Sequence, residues 1–293
     1  MKTLTSKKAI PHIILLTLCL CFICKLEAHA ADVYEITQTE EGLIGTCNDT
    51  AMKDRYVSVK ISGDTYKVVK PCTSGSSVYY FNKKGVGVPY TSSKFIKIKY
   101  GGSSKVYYSK KGILQKNQIV GSKKQGYYYV DSTGVRVTDK TTKLAVKFVR
   151  SHTKTTDSQS VKLKKCYQYL SYHYKYKRYY TNLCPKAKYM QPFAYDMFSS
   201  KKGNCFRYAA CFAYIARVLG YDSRVVVGKI SAVYGGMTPH GWTEVKVDGK
   251  WYVCDPDMQM NGVDSYLKSS TPCRTSVTRR CKMTAKNGKV SWK

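Results

Sequence analysis

Gly203-Asn204-Cys205-Phe206-Arg207-Tyr208-Ala209 opens the stretch that decides the fold. Behind it the chain stays apolar almost all round as far as Leu219, through Ala210, Phe212, Ala213, Ile215, Ala216 and Val218. A helix apolar on every face is a buried central helix. Asn204 suits the cap of its first amides, and Gly220 fits the left-handed residue that ends such a helix. Cys205 therefore falls in the first helical turn. There the helix dipole and free amides favour negative charge, and the thiolate is the attacking form of a cysteine.

Further along, residues 240–247 alternate, and a second run at 250–255 follows Asp248-Gly249. Asp-Gly between two such runs predicts a two-residue hairpin turn. That turn pairs Val247 with Lys250 and sets Trp242 opposite Asp255. Side chains alternate with period two, so His240 and Trp242 share a face. Asp255 then lies diagonally across from His240, within reach. A three-residue loop would slip the register by one and put the two on opposite faces. Cys, His and Asp in this order are the parts of a thiol nucleophile, its base and the group that orients the base.

The stretch resembles the transglutaminase-like superfamily in its bacterial secreted form, with a papain-like Cys-His-Asp triad. Gly203, Cys205 and Ala209 match its helix start. Arg224, Val225, Val226 and Gly228 match a strand. His240, Trp242, Glu244 and Val245 match the histidine strand, and Trp251, Asp255 and Pro256 the aspartate strand. The similarity is sharpest over residues 203–257 and extends more weakly back to about 145. It implies an α+β fold with a transglutaminase core, a buried helix plus an antiparallel sheet. It also implies that Cys205 is the nucleophile, His240 the general base and acid, and Asp255 the orienter.

Acyl transfer through a Cys205 thioester needs an oxyanion site. The Cys205 backbone amide, at a helix start, is a natural donor. Gln191 and Tyr195 upstream are candidates for a second. Trp242 and Trp251 are candidate pocket walls, or core. No cofactor or metal is required, and beyond residues 1–30 no Cys-x-x-Cys or paired-His spacing points to zinc. The triad serves an amine acceptor and water alike, so a cysteine peptidase or amidase acting on surface proteins or wall peptides stays open. So does a non-enzymatic surface-binding protein.

Residues 1–30 read as a secretory signal: Lys2, Lys7 and Lys8, an apolar run, then Ala28-His29-Ala30. The expectation is a secreted or cell-surface protein. Residues 31–140 and 141–293 are then expected as two domains. The chain carries 50 basic and 18 acidic residues, a net charge of +32, spread over both parts. An exported chain with no basic block and no nucleic-acid motif points away from nucleic acid. Anionic wall polymers and acidic proteins fit this charge, and plain solubility explains it equally well. Nine cysteines follow the signal, an odd number, consistent with one thiol kept reduced. Cys47–Cys72, Cys273–Cys281 and, more weakly, Cys166–Cys184 are bridge guesses on proximity alone.

Within residues 31–140 a theme recurs at Tyr79-Tyr80, Tyr107-Tyr108 and Tyr128-Tyr129. Each is an aromatic strand, a polar turn closed by Gly and a return strand. This predicts an all-β domain of hairpin repeats. It weakly resembles cell-wall-binding or choline-binding repeats. Those use Trp beside Tyr to cage a quaternary amine, and this stretch has none. A wall glycan or anionic polymer is the partner implied, with most inward tyrosines serving as core. Val57–Ile61 and Tyr66–Val69 read as a further hairpin. Residues 143–151 read as a helix, and Asp157 or Ser158 as the cap of another. The basic-aromatic run at 172–180 reads as a solvated face or the rim of a substrate groove. The tail after Met258 reads as short strands or loop, packed on the core or forming a lid.

Overall fold

The computed structural model describes residues 32–293; residues 1–30, read above as a secretory signal, lie outside them. From Tyr34 to Leu114 the chain is strands alone, ten of them in one sheet. The first two tyrosine themes form the expected hairpins: Phe81 pairs with Gly87 and Lys110 with Ile113. The third does not, because Gly126–Val130 pairs with the strand before it, Ser122 opposite Gly126, and past the Gly134 turn only the single bridge Val130–Arg136 forms. Ile61 pairs with Tyr66, as the Gly-containing turn between them requires. The hairpins are not stacked as separate units. The first two merge, with strands from elsewhere, into the shared sheet, while Tyr128 and Tyr129 stand in a separate two-stranded ribbon with Gln118–Ser122. Tyr79, Tyr107, Tyr108 and Tyr129 are buried, as core tyrosines should be.

Five helices follow. α1 (Lys140–His152) is capped by Asp139, and α2 (Gln159–His173) by Ser158, each side chain accepting from an amide of the first turn. α3 (Met190–Ser200) and α4 (Cys205–Val218) come next, then the short α5 (Pro256–Met260). Asn204 caps α4 by accepting from the Arg207 amide. All but one residue of α4 is buried, the exception being Arg207. Such a helix has to be walled on every side. α3 and α1 cover it on one side, and a sheet on the other.

That sheet has five antiparallel strands in the order Lys250–Cys254, Met237–Val247, Asp222–Ser231, Thr275–Lys286, Lys289–Trp292. Val225, Val227 and Val245 face α4, while Val226, Trp242 and Val253 pack together on the other face. Thr243 ties sheet to helix, its hydroxyl donating to the Ala209 carbonyl at 2.8 Å. Gly228 sits where the ladder slips by a residue. A Cβ there would meet the Ser276 carbonyl oxygen at 2.2 Å, so only glycine fits.

Of the two readings of the tail, packing on the core holds and the lid does not. Thr275–Lys286 is no lid; it is a long inner strand beside Asp222–Ser231. Its interior positions Cys281, Met283 and Ala285 are buried in the helical core. The cysteine pairings fail too, since all nine cysteines of the described residues are free. Cys47 and Cys72 belong to separate apolar clusters. Six strand residues part Thr275 from Cys281, roughly 20 Å at the usual rise, so Cys273 and Cys281 cannot meet. Cys166 is buried under α2 while Cys184 is exposed.

Candidate active site

α4 delivers Cys205 to its own N-terminal tip. Lys202–Gly203, just before it, pairs in parallel with Lys175–Tyr176, which fixes how the chain enters the helix. Gly203 is required for space there. A Cβ would meet Arg207 Cβ at 2.7 Å and Met197 Sδ at 2.8 Å. Among the first amides, those of Arg207 and Tyr208 donate to the Asn204 carbonyl. The Cys205 amide has no partner among the described residues and is available to an incoming oxygen.

His240 arrives on the neighbouring strand. Val247 pairs with Lys250, and Asp248 and Gly249 both take positive φ, 46° and 80°, so the two-residue turn holds the expected register. Asp255 leaves the end of its strand as the cap of α5, its Oδ1 accepting from the Met258 amide at 3.1 Å. Its Oδ2 lies 2.6 Å from His240 Nε2. An ionised carboxylate only accepts, so the proton between them sits on Nε2. Tyr167 and Ser265 hydroxyls both donate to the Asp255 carbonyl, at 3.0 and 3.1 Å, and hold this corner.

Nδ1, the nitrogen that Asp255 leaves free, faces the cysteine side. Cys205 Sγ, a ring nitrogen of His240 and a carboxylate oxygen of Asp257 lie within 4.8 Å of one another. Burial, taken alone, would lower the His240 pKa. The Asp255 carboxylate, its hydrogen bond and the Cys205 sulfur outweigh burial and raise the imidazole well above its ordinary range. The site thus favours an imidazolium between a carboxylate and a sulfur, the charge arrangement of an activated thiol.

Gly241 lets the two halves close. A Cβ at this position would meet Phe206 Cδ1 at 2.4 Å, and Phe206 follows Cys205. Gly241→Ala is expected to destabilise the protein by about 1–3 kcal/mol through overpacking, read as a lower urea midpoint at unchanged slope. An unaltered midpoint would mean that the helix tip does not rest on this strand.

A cleft of 280 Å³ opens over Cys205 and Asn204. Its rim comes from the basic-aromatic run, Tyr176, Arg178, Tyr179 and Tyr180, as the sequence suggested for a substrate groove. Arg207 holds Tyr179, its guanidinium carbon 3.8 Å from the ring centroid. Tyr176 is pushed up to about 12 by burial first, then by the Cys205 and Asp257 charges, so its hydroxyl stays protonated beside the sulfur. Larger hollows of 610 and 700 Å³ lie near Asn117 and Gln159, but neither Cys205, His240 nor Asp255 lines them. Trp242 is buried and stacks beside His240, ring centroids 6.3 Å apart, so it walls the imidazole. Trp251 lies under the Arg224 guanidinium at the far end of the hairpin. Gln191 and Tyr195 ride on α3; Tyr195 is 41% exposed, and neither lines the cleft over Cys205.

Residues 144–256 match the family model described as the transglutaminase-like superfamily. This segment is similar to the transglutaminase-like superfamily. The transglutaminase-like segment carries all three triad positions, and the α+β core expected from its sequence is present. No curated protein matches the chain. Among solved structures, one described as a TGase is 24% identical over 40% of this chain and 31% of its own, with a TM-score of 0.32. Another, a protein from Cytophaga hutchinsonii provisionally named a cysteine protease, is 14% identical over 53% of this chain and 59% of its own, with a TM-score of 0.32. The chain thus spans under two thirds of either structure's length.

The residue that sequence reasoning missed is Asp257. Two positions past Asp255, it turns inward only because α5 starts at Pro256. Its Oδ2 lies 3.9 Å from His240 Nδ1, and its buried Oδ1 has no partner among the described residues. Burial, then the Asp255 charge, push it up to about 6, with His240 opposing. The folded pKa exceeds the unfolded value, so the folded state holds this proton more tightly. That contribution is complete below about pH 4 and is lost as pH rises through about 6. Asp257→Asn is therefore expected to gain about 2–3 kcal/mol over the wild type between pH 4 and pH 7.5. Paired urea melts at both pH values measure it; equal differences at the two would refute it.

Proposed function

We propose that this protein is an exported thiol acyltransferase acting on carboxamides, the glutamine side chain foremost. The observation that carries the reading is the 2.6 Å bond from His240 Nε2 to Asp255, with Cys205 at a helix tip on the other side of the same ring. The Cys205 thiolate attacks the carboxamide carbon, and the Cys205 amide receives the developing oxyanion. His240 gives its Nδ1 proton to the nitrogen, the C–N bond breaks, and ammonia leaves. A thioester on Cys205 remains. A lysine amine then attacks it, His240 takes the amine proton, and the thiolate departs with an isopeptide bond formed. With water in place of the amine, the product is a glutamate.

A rim bearing Arg178 and a net charge of +32 suit acidic protein or peptide substrates. The tyrosine-rich strands before the domain would hold the enzyme to an anionic wall polymer or glycan. The test is the purified chain with a glutamine-bearing peptide and a lysine-bearing peptide. Ammonia release with a crosslinked product supports transamidation. New peptide termini without ammonia would replace it with a peptidase.

A further inference from the structure

The triad leaves one buried group without a task. Asp257 is 7% exposed, and its Oδ1 finds no hydrogen-bond partner among the described residues. Native proteins seldom bury a carboxylate oxygen unpaired. Its other oxygen sits on the Nδ1 side of His240, the same side as the Cys205 sulfur. Three different elements supply these atoms: the α4 tip, the histidine strand and α5. No local spacing in the sequence announces such a set.

We infer that Cys205 Sγ, His240 Nδ1 and Asp257 form a binding site for a single divalent ion of the zinc class. Sulfur, imidazole and carboxylate are a donor set that zinc accepts, and three protein ligands leave a fourth position to solvent. A tetrahedral ion with bonds of about 2.0–2.3 Å sets its ligand atoms roughly 3.3–3.8 Å apart. Nδ1 and Asp257 Oδ2 stand 3.9 Å apart, and no pair in the set exceeds 4.8 Å. Small side-chain rotations close the rest. The outer support is already built. A metal-bound imidazole donates its other N–H to a carboxylate, and His240 Nε2 does so to Asp255 at 2.6 Å. The cleft over Cys205 is the entry path. On binding, the Cys205 thiol proton and any proton on Nδ1 leave to solvent, as metal ligation requires.

The consequence for activity rests on the acyl-transfer reading: the ion occupies the sulfur and the nitrogen that the reaction needs, so the loaded enzyme is silent until it is stripped. Binding itself does not depend on that reading. The experiment uses the full chain, treated with a chelator and titrated with cobalt(II), then with zinc(II) in competition. One cobalt per chain is expected, with a sulfur-to-cobalt charge-transfer band in the near ultraviolet and tetrahedral bands in the visible. Cys205→Ser should abolish the charge-transfer band. Asp257→Asn should weaken the affinity at least tenfold. Zinc should block alkylation of Cys205 by iodoacetamide, and a chelator should restore it. A band that survives Cys205→Ser would place the ion on another cysteine and overturn the site. So would an affinity unchanged by Asp257→Asn, or no binding at all. None of these readouts uses turnover. A protein that binds cobalt this way yet transfers no acyl group would keep this site and lose the proposed function.

Discussion

Replacing Cys205 by alanine is expected to lower turnover by a factor on the order of 10⁵–10⁶, the loss seen when a covalent nucleophile is removed. The size of the effect follows from the site's chemistry. Without the sulfur no thioester forms, and His240 and the helix-tip amide retain only the residual catalysis of a positioned cleft. The thiols packed in the same core do not substitute. Cys166, Cys211 and Cys254 are buried in the core, and burial pushes the thiols of Cys166 and Cys254 up to about 12. The fold should survive, since Cys205 sits at the helix tip rather than in its middle and alanine is a good helix former. Far-ultraviolet circular dichroism checks this, and ammonia release from a glutamine peptide measures the loss. Activity within tenfold of the wild type would remove Cys205 from the reaction.

Asp255→Asn carries the second large effect, a fall in kcat of about 10³–10⁴. Asp255 does two separable things. Its Oδ1 caps α5 through the Met258 amide, and its Oδ2 accepts from His240 Nε2. Asparagine keeps an oxygen for the cap, so α5 stays in place. Its amide nitrogen then faces Nε2 as a donor and demands a bare nitrogen there. The ring proton moves to Nδ1, the side that must accept from the thiol. The imidazolium loses its counter-ion as well. KM should change little, because Asp255 does not line the cleft. A mutant with normal kcat would mean that this hydrogen bond does not set the tautomer. Asp255→Ala should add a loss of stability to the kinetic defect, since the cap goes too.

Local chemistry made the core of the site legible in the sequence. Asn204 before an all-apolar run fixed the helix start, and Asp248-Gly249 fixed the register that brings Asp255 to His240. Both signals act within a few residues, where turn and cap rules are strongest. Gly203 stood in the motif, but the reason for it is tertiary, room for Arg207; Gly241, which the motif left unspecified, makes room for Phe206. What stayed hidden was set by distant contacts. The tail strand Thr275–Lys286 pairs with a partner some fifty residues earlier, and nothing in its own alternation names that partner. The first two tyrosine hairpins were visible one by one, but not their order in a sheet that joins Tyr56 to Ile98 in parallel. Gln191 and Tyr195 were placed by chain proximity to Cys205, yet α3 carries them away from the cleft. Tyr176 reaches it through a parallel pairing with Gly203. Asp257 drew no reading from the sequence; its inward aim depends on where α5 begins.

Acid-quenched mass spectrometry of the full chain during turnover of a glutamine-bearing peptide tests most directly whether the sulfur at this helix tip carries the acyl group. The expected result is an adduct on the peptide containing Cys205, heavier by the substrate less one ammonia, absent from Cys205→Ala and discharged by added lysine. Product accumulating while Cys205 stays unmodified, or the adduct found on another cysteine, would contradict it.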